Sequence, residues 1–457
     1  MKLTYGISDK PKGGKLIVFA IQQLLAILAA TIAVPGIINS SIEGANMSQS
    51  AALFGAGVGT IVYLLFTKFK SPVFLGSSFA FIGSMIAAFA GGVSMSAGYL
   101  GLIIGALFAG LVYVLLSLIV KLVGVKWIDK FMPPVVIGPT VAIIGLSLAG
   151  SAISQAVSSS TNADGAYIMD AHGLVCLFCA LVTLFAVVIS SVYGKKFAKM
   201  IPFIIGIACG YAAAAIFTVI GTAAGIEAFK IIDFSMFADV TVFAIPDFTF
   251  LQPFGSDMSF GDSNLAAYIG TIAVAYVPVA FVVFAEHIAD HKNLSSIIEK
   301  DLLEDPGLSR TLLGDGVGSF AGALFGGCPN TTYGESVGCV AITGNASVVT
   351  ILTTAIICMG ISFFSPFVIL LSTIPACVMG GVCITLYGFI AVSGLKMIQP
   401  VDLGDNRNLF TVSAVLIAGV GGMKLAFGKV TLTGVACALI LGIIVNLVLG
   451  GKDTNTK

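Results

Sequence analysis

Charged residues are what this sequence most lacks. Among 457 residues there are 22 Lys and Arg and 22 Asp and Glu, so 10% of the chain is charged and 58% is hydrophobic. Because soluble globular domains carry about a quarter charged residues, this composition excludes a soluble fold and indicates a polytopic protein of the lipid bilayer. The net charge is zero and no basic or acidic block occurs, so nothing indicates nucleic acid as a partner.

Several motifs of enzymes and pumps are missing as well. No G-x-x-x-x-G-K-[ST] loop occurs, so ATP would not drive any pumping and an ion gradient would have to do so. The nine cysteines lie in or beside apolar segments, where they act as small hydrophobes and predict no disulfide framework. The order E-H-x-x-D-H at residues 286–291 does not fit the H-E-x-x-H zinc motif, so we expect neither a metal nor another cofactor.

Long apolar runs dominate what is present. With about 20 apolar residues needed to cross a bilayer, the sequence predicts about fourteen spans. They lie near residues 17–38, 51–66, 73–90, 97–120, 133–152, 170–192, 201–223, 264–292, 311–327, 329–346, 347–370, 374–395, 408–425 and 430–449. Lys and Arg alternate between loops so as to predict that both termini are cytoplasmic. Loop 224–262 is then extracellular, and its apolar patches between turn residues predict short strands.

The chain also repeats itself. Residues 54–59 (FGAGVG) match residues 313–318 (LGDGVG), and residues 133–138 (PPVVIG) resemble residues 375–380 (PACVMG). Both matches join spans that are seven apart in the predicted order. Because seven is odd, the two halves are predicted to be inverted repeats, which are typical of secondary transporters.

The third and tenth predicted spans resist a helical interpretation. Residues 71–81 (SPVFLGSSFAF) and 326–336 (GGCPNTTYGES) are rich in Gly, Ser, Thr, Asn and Pro, which compete with or break helical hydrogen bonding. We expect each to be a short extended segment followed by a half-helix, facing its mate at a central site. Glu335 would then lie at the positive end of a half-helix. In the alternative interpretation, these glycines only permit close helix packing.

Residues 277–291 place acids directly after an apolar run. An acid inside a membrane is by default a functional candidate. Glu286 and Asp290 are four residues apart and share a helix face, where desolvation and mutual repulsion favour forms that hold a proton. Hydropathy alone also allows Glu286 to lie at the cytoplasmic interface. The repeat favours a position of Glu286 deep in the membrane. Aligning the two halves so that Gly55 matches Gly314 also matches Glu286 with Ile27, which lies in the middle of the first span.

The neighbouring histidines are expected to have structural roles. His287 is expected to pack or to form hydrogen bonds, and His291, which precedes Lys292, is expected to mark the cytoplasmic end of the span. Asp315 stands among glycines in the ninth span. It either pairs with these side chains or lies at the interface.

Six segments together resemble the nucleobase/ascorbate transporter family, and within it the bacterial uracil permeases, which are uracil:proton symporters. They are QQLLAILAATIAVP (22–35), LGSSFAFI (75–82), FAEHIADH (284–291), KDLLEDPGLSRTLLGDG (300–316), PNTTYGE (329–335) and MGGVCITLYG (379–388). The resemblance implies two inverted sets of seven segments with short antiparallel strands in spans three and ten. It implies a core domain of residues 1–125 and 263–372, a gate domain of residues 126–262 and 373–457, a homodimer, and the bacterial cytoplasmic membrane as location.

The same resemblance implies the site residues. The expected substrate-binding residues are Glu286, Glu335, Phe79, Gly334, Tyr333, Ala30, Ser78 and Tyr387. Glu286 and Asp290 are the expected proton-coupling residues. The chain departs from the family at Asp290, where uracil permeases often have His, and at Ser336, where the signature usually has Asn.

Together these features predict a proton-coupled importer of uracil whose core domain moves against its gate domain. Glu335 would accept from ring N–H groups, a protonated Glu286 would donate to a carbonyl, and Phe79 would cover the ring. A xanthine or uric acid permease is the alternative within the family. A passive channel and an intramembrane hydrolase are the alternatives outside it.

Overall fold

The structure is a computed structural model that describes residues 3–449 except 126, 128–130, 196, 197, 200, 239, 255–257, 262, 428 and 429. The helices of its first half are α1 (Gly14–Ser41), α2 (Gln49–Phe66), α3 (Ile82–Ala88), α4 (Met95–Val123), α5 (Pro134–Ser147), α6 (Ala149–Val157), α7 (Ala171–Tyr193) and α8 (Pro202–Ala224). Those of its second half are α9 (Leu265–Ile298), α10 (Leu308–Gly326), α11 (Gly334–Thr343), α12 (Val348–Ile361), α13 (Ser365–Ser372), α14 (Ala376–Ile398), α15 (Asn406–Val420) and α16 (Gly434–Val448). The strands are β1 (Leu75–Ser77), β2 (Asn330–Thr332), β3 (Leu425–Phe427) and β4 (Val430–Leu432).

Most predicted spans are single long helices. Within the described residues, eight helices are long and apolar enough to cross a membrane, counting α5 and α6 as one. The third and tenth spans are broken as expected: β1 leads through a short 3-10 turn into α3, and β2 leads into α11. Short strands in these two spans are therefore confirmed.

The two central strands pair with each other. They are antiparallel, with Leu75 opposite Thr332, Gly76 opposite Thr331 and Ser77 opposite Asn330. The amide of Asn330 donates to the Gly55 carbonyl of α2 at 3.2 Å, which anchors β2 to a neighbouring helix. Non-helical backbone at membrane depth needs such enclosure by protein, and all six strand residues are buried.

Glycines of the matching motifs lie at the α2–α10 interface, where the two helices are in close contact. A Cβ atom on Gly55 would lie 2.3 Å from the Gly322 carbonyl oxygen, and one on Gly59 would lie 2.7 Å from that of Gly318. No side chain fits at such distances, so only glycine lets these helices approach backbone to backbone. Close packing thus explains the glycines of spans two and nine, while spans three and ten contain strands.

Helix packing falls mainly into two sets. In the first set, α10 packs against α2 and α4, α9 against α4, and α12 against α1 and α2. This set also includes β1, which packs against α2, β2, which packs against α10, and α11, which packs against α1 and α9. In the second set, α14 packs against α5, α6 and α7, α8 against α7, and α15 against α16 and α5. Fewer contacts, such as those of α1 with α8 and of α9 with α5, join the two sets.

Two expectations about irregular regions were wrong. The described part of loop 224–262 forms 3-10 turns at Glu227–Phe229, Phe234–Phe237 and Thr249–Phe254. Its strand-like pairing is limited to isolated antiparallel bridges of Phe243 with Phe364 and of Phe260 with Val93. Two physical reasons are that Pro253 cannot donate to a strand ladder and that Phe248 packs between the rings of Phe54 and Phe325.

The other unexpected region lies between the last two helices. The predicted spans 408–425 and 430–449 are shorter than expected, because β3 and β4 form an antiparallel hairpin between α15 and α16. Gly422, with a φ of 67°, ends the path of α15 in a left-handed conformation that glycine tolerates best.

Candidate functional site

A cavity of about 350 Å³ lies where the central strands meet both sets of helices. From the first set, its polar lining comes from the segment after β1, from α9, from β2 and from the start of α11. From the second set, its largely apolar wall comes from α5, α8 and α14. The polar lining residues are Ser78, Glu286, Asp290, Thr331, Thr332, Glu335 and Ser393, together with the phenol-bearing Tyr333.

The charged residues that line this cavity are acidic. Glu286, Asp290 and Glu335 all line it, and none of the described lining residues is basic. Three carboxylates cannot all be ionised at low dielectric without large repulsion and desolvation costs. The cavity therefore suits bound protons together with a ligand that offers hydrogen-bond donors.

Glu286 and Glu335 reach the cavity from different elements. Glu286 lies on α9 and is partly buried, and its side chain has no hydrogen-bond partner among the described residues. Glu335 is the second residue of α11, which begins after the extended Tyr333. Backbone N–H groups and the positive helix end favour a carboxylate, or a ligand acceptor, at that position.

Asp290 lies one turn beyond Glu286 on the same helix. Its Oδ2 accepts a hydrogen bond from the Thr332 hydroxyl at 2.7 Å, so it ties α9 to the end of β2. A Cβ atom on Gly334 would lie 3.8 Å from Asp290 Oδ1, which places the β2–α11 junction against this acid. The residue that departs from the family pattern thus lines the cavity.

Ser78 and Phe79 line the cavity at the end of β1. The Ser78 hydroxyl is buried and has no hydrogen-bond partner in the described part of the chain, as expected for a group that awaits a ligand. The Phe79 ring meets that of Tyr387 edge to face, with centroids 5.9 Å apart and an interplanar angle of 76°. Tyr387 supports Phe79 from α14 and does not itself line the cavity.

The remaining expected site residues are placed as follows. Gly334 and Tyr333 line the cavity, while the phenol of Tyr333 donates to the Ser77 carbonyl at 2.8 Å and so fastens the two strands together. Ala30 is buried on α1 and does not line the cavity. Direct substrate contacts by Ala30 and Tyr387 stay predictions.

Behind the cavity, α9 carries a buried polar cluster. His287 Nδ1 donates to Asp315 Oδ2 at 2.7 Å, and Nε2 lies 3.0 Å from the Thr311 hydroxyl. Asp315 is therefore buried beside His287 and is not interfacial. This pair joins α9 to α10 within the first helix set.

His291 continues this cluster and corrects a prediction. It does not mark a helix end, because α9 runs on to Ile298 and the His291 side chain is fully buried. Its Nδ1 donates to the His287 carbonyl at 2.8 Å, and its Nε2 lies 2.7 Å from the Tyr63 hydroxyl. The neighbouring Lys292 misled the sequence interpretation, because helix length past an apolar run is not encoded by hydropathy.

Several lining residues escaped the sequence analysis. Thr331 and Thr332 stand inside the quoted PNTTYGE segment, so their motif was the available signal. The apolar wall carries no local signal, because any span supplies such side chains: Val141, Ile144, Phe203, Leu386, Phe389, Ile390 and Met397. Ser336 does not line the cavity; its hydroxyl accepts from Gln23 Nε2 at 2.5 Å and from the Phe74 amide at 3.2 Å.

The cavity extends toward one end of the molecule. On α14, its lining runs from Leu386 through Ile390 to Met397, next to the last residue of that helix, and on α8 it includes Phe203, the second residue. At the other end, Gln155 Nε2 of α6 donates to the Ser40 hydroxyl of α1 at 3.0 Å. The Ser40–Gln155 hydrogen bond therefore joins the two helix sets at the end opposite to that toward which the cavity extends.

Comparison with known proteins covers almost the whole chain. Residues 14–427 match the profile of the "Permease family" (Xan_ur_permease). The uracil permease of Bacillus caldolyticus is 38% identical over 98% of this chain and 94% of the relative. That of Escherichia coli (strain K12) is 32% identical over 97% of this chain and 93% of the relative. These relatives are permeases and not enzymes, as the sequence analysis expected.

Solved structures support the fold. The transmembrane domain of the cyanobacterial bicarbonate transporter BicA matches 96% of this chain and 100% of that domain, with a TM-score of 0.60 and 14% identity. The structure of SLC26A9 matches 96% of this chain and 66% of that chain, with a TM-score of 0.64 and 12% identity. The predicted class, a helical membrane protein with two short central strands, is confirmed.

Proposed function

Because this chain belongs to the nucleobase transporter family that contains the bacterial uracil permeases, we propose that it imports uracil with protons across the bacterial cytoplasmic membrane. One observation carries the proposal beyond the family. A cavity at the central strands is lined by three carboxylates and, among described residues, by no cation. Such a site favours a neutral ligand with N–H donors and protons that offset the acids.

Uracil matches the polar lining group by group. It presents two ring N–H donors and two carbonyl acceptors, and a carboxylate accepts where an amide N–H donates. Glu335 would accept from the ring N–H groups, and the unpartnered Ser78 hydroxyl would complete a carbonyl's hydrogen bonding. Phe79 would cover the ring face, where an aromatic side chain adds contact area.

Proton coupling follows from the state of Glu286. An ionised Glu286 offers only acceptors, whereas a protonated Glu286 offers one donor to a uracil carbonyl. Binding of the base would therefore be stronger once Glu286 holds a proton. Asp290, one turn away, would relay or share that proton, because two ionised acids at this spacing repel each other.

In this proposal, the first helix set acts as the core and the second as the gate. The acids, Ser78 and Phe79 all belong to the first set, and the apolar wall belongs to the second. Transport would move the core with its site past the gate wall, so that the cavity faces each side in turn. In the orientation predicted from the lysines, this cavity faces the cytoplasm, and the Ser40–Gln155 hydrogen bond would break on outward opening.

Two further proposals concern assembly and orientation. The family resemblance supports a homodimer, which native mass spectrometry of the purified protein would detect. The loop lysines support cytoplasmic termini, which labelling of cysteines introduced near Lys12 would test from either side of the membrane.

Uptake into proteoliposomes tests the function. Radiolabelled uracil should accumulate when an inward proton gradient is imposed and should equilibrate without accumulation when a protonophore is added. Unlabelled uracil should compete fully and xanthine weakly. Accumulation that ignores the gradient would overturn proton coupling, and strong competition by xanthine would replace uracil with a purine as substrate.

A further inference from the structure

A second cavity, of about 510 Å³, lies where α4 ends and α10 begins. Its polar lining consists of Ser117 and Lys121 on α4 and Ser309 and Arg310 on α10. Its apolar lining includes Phe66, Val114, Leu118 and Leu313. We call it the α4–α10 groove; it shares no lining residue with the cavity around Glu286.

Among the described residues, the two cations of the α4–α10 groove have no ion-pair partner, whereas other nearby cations are paired. Lys70 and Lys300 both contact Asp305, at 2.7 and 2.9 Å. In the described part of the chain, neither Lys121 nor Arg310 forms an ion pair or hydrogen bond, and both are exposed. Two unneutralised positive charges on adjoining helices therefore border one groove.

The floor of the groove is fixed by a hydrogen bond between its helices. The Ser117 hydroxyl donates to the Ser309 carbonyl at 2.6 Å and lies 3.0 Å from the Ser309 hydroxyl. Ser117 is buried while Ser309 is partly exposed. The separation of α4 and α10 at this end is thus set without any ligand, so a ligand would meet a preformed site.

A lipid-facing stripe leads from the groove along α4. Leu111, Leu115, Leu118 and Leu122 are each at least half exposed, and their spacing puts them on one helix face. Leu118 belongs both to this stripe and to the groove lining. A molecule with a charged head at Lys121 and a long apolar chain would therefore find continuous apolar surface.

We propose that the α4–α10 groove binds an anionic phospholipid, with its phosphate between Lys121 and Arg310 and an acyl chain along the leucine stripe. Basic pockets between helices at a membrane interface favour such headgroups. A guanidinium also matches phosphate geometry well. Free phosphate would satisfy the two charges but leave Leu118 and Leu313 uncovered. The lysine distribution predicts that this end faces the cytoplasmic leaflet.

Native mass spectrometry of the detergent-purified full chain tests this proposal with phosphatidylglycerol as probe. The wild type should bind phosphatidylglycerol in preference to phosphatidylcholine. In Lys121→Gln/Arg310→Gln the affinity should fall on the order of 30-fold, since each interfacial cation contributes about 1 kcal/mol. Lys12→Gln/Lys396→Gln removes two exposed charges elsewhere and should bind like the wild type, and Lys121→Arg should retain binding.

The outcomes distinguish binding of a phospholipid headgroup from binding of free inorganic phosphate. Unchanged phosphatidylglycerol binding by Lys121→Gln/Arg310→Gln would overturn the proposal, as would equal binding of phosphatidylcholine by the wild type. Displacement of the lipid by millimolar inorganic phosphate would show that the groove is a phosphate site and not a lipid site. Thermal unfolding without added lipid should be the same for all variants, because the substituted side chains are exposed and unpaired.

Discussion

Helix α9 carries two pairs of titratable residues that differ in their surroundings. His287 and His291 are fully buried, and all four ring nitrogens have partners on α2, α9 or α10. Glu286 and Asp290, at equal spacing on the neighbouring ridge, line the cavity, where among the described residues only Asp290 has a side-chain hydrogen-bond partner, Thr332. Within one apolar stretch, the two histidines thus have hydrogen-bond partners for all their ring nitrogens and form a satisfied pair. The two acids face the cavity and form an open pair.

This difference indicates a structural role for the two histidines and a functional role for the two acids. Buried polar groups in native proteins are nearly always paired, and both histidine rings already have their hydrogen-bond partners within the protein. An acid at membrane depth without a partner has to be hydrated, protonated or bound to a ligand. The acid side is therefore prepared for something that the chain itself does not supply, which in our proposal is uracil and a proton.

Breaking the satisfied pair should have the largest effect. Asp315→Ala leaves the His287 Nδ1–H without its acceptor in a buried site, and loss of one partner of such a pair costs about 3 kcal/mol. We expect a clearly lower unfolding temperature in detergent, measured by fluorescence of a thiol-reactive dye.

A double variant sharpens this result. His287→Leu/Asp315→Ala removes both polar groups, and replacing both partners by apolar groups is nearly neutral in favourable cases. It should therefore be more stable than Asp315→Ala alone. Equal losses in the single and double variants would contradict the view that the pair is structural.

Glu286→Gln should reduce transport while leaving thermal stability nearly unchanged, in contrast to the loss of stability expected for Asp315→Ala. The substitution keeps the shape of the side chain but removes the exchangeable proton, so uptake against a gradient should fall by about 100-fold, within the range seen when a buried charged contact is lost. Thermal stability should be close to that of the wild type, because in the described part of the chain Glu286 has no hydrogen-bond partner that the substitution would leave unpaired. Wild-type accumulation in proteoliposomes would remove Glu286 from the mechanism.

A smaller effect is expected at the hydrogen bond between Thr332 and Asp290. Thr332→Val keeps the side-chain volume but removes the hydroxyl that donates to Asp290, and a hydrogen bond to a charged group contributes about 1.5 kcal/mol. Initial uptake rates should fall about tenfold, since 1.4 kcal/mol corresponds to tenfold. Thr353→Val, which removes a hydroxyl that donates to the Val349 carbonyl of its own helix α12, is the matched control. Equal rates in both variants would show that Asp290 does not need Thr332.

The sequence predicted the parts of the fold that composition and periodicity encode. Apolar run length located most spans, and the density of Gly, Ser, Thr and Pro located the broken third and tenth spans. The repeat placed Glu286 at depth, and the structure puts it in a cavity beside the central strands. These features arise from local chemistry, so a single sequence carries them.

Contacts between residues that are far apart in the chain could not be predicted from the sequence. Nothing in the sequence pairs Tyr63 with His291 or Gln23 with Ser336, because these contacts join residues far apart in the chain. The apolar wall of the cavity was equally hidden, since Phe389 or Met397 resembles any lipid-facing residue of a span. The partners of the histidines, which distinguish the two sides of α9, could be seen only in three dimensions.

The smallest effect is expected outside the membrane, where acids meet cations in water. Hydrogen bonds from Lys70, and then from Lys300, hold the pKa of Asp305 down, to about 2. A lowered folded-state pKa stabilises the protein above the unfolded value of about 4, and this contribution disappears as the pH falls toward 2. The unfolding temperature of Asp305→Asn should therefore lie slightly below that of the wild type at pH 7, and the difference should shrink below about pH 4 and vanish only toward pH 2, while Asp301→Asn, exposed in the same loop, serves as the control. A difference that persists unchanged to pH 2 would show that these ion pairs do not contribute, because surface pairs are screened and weak.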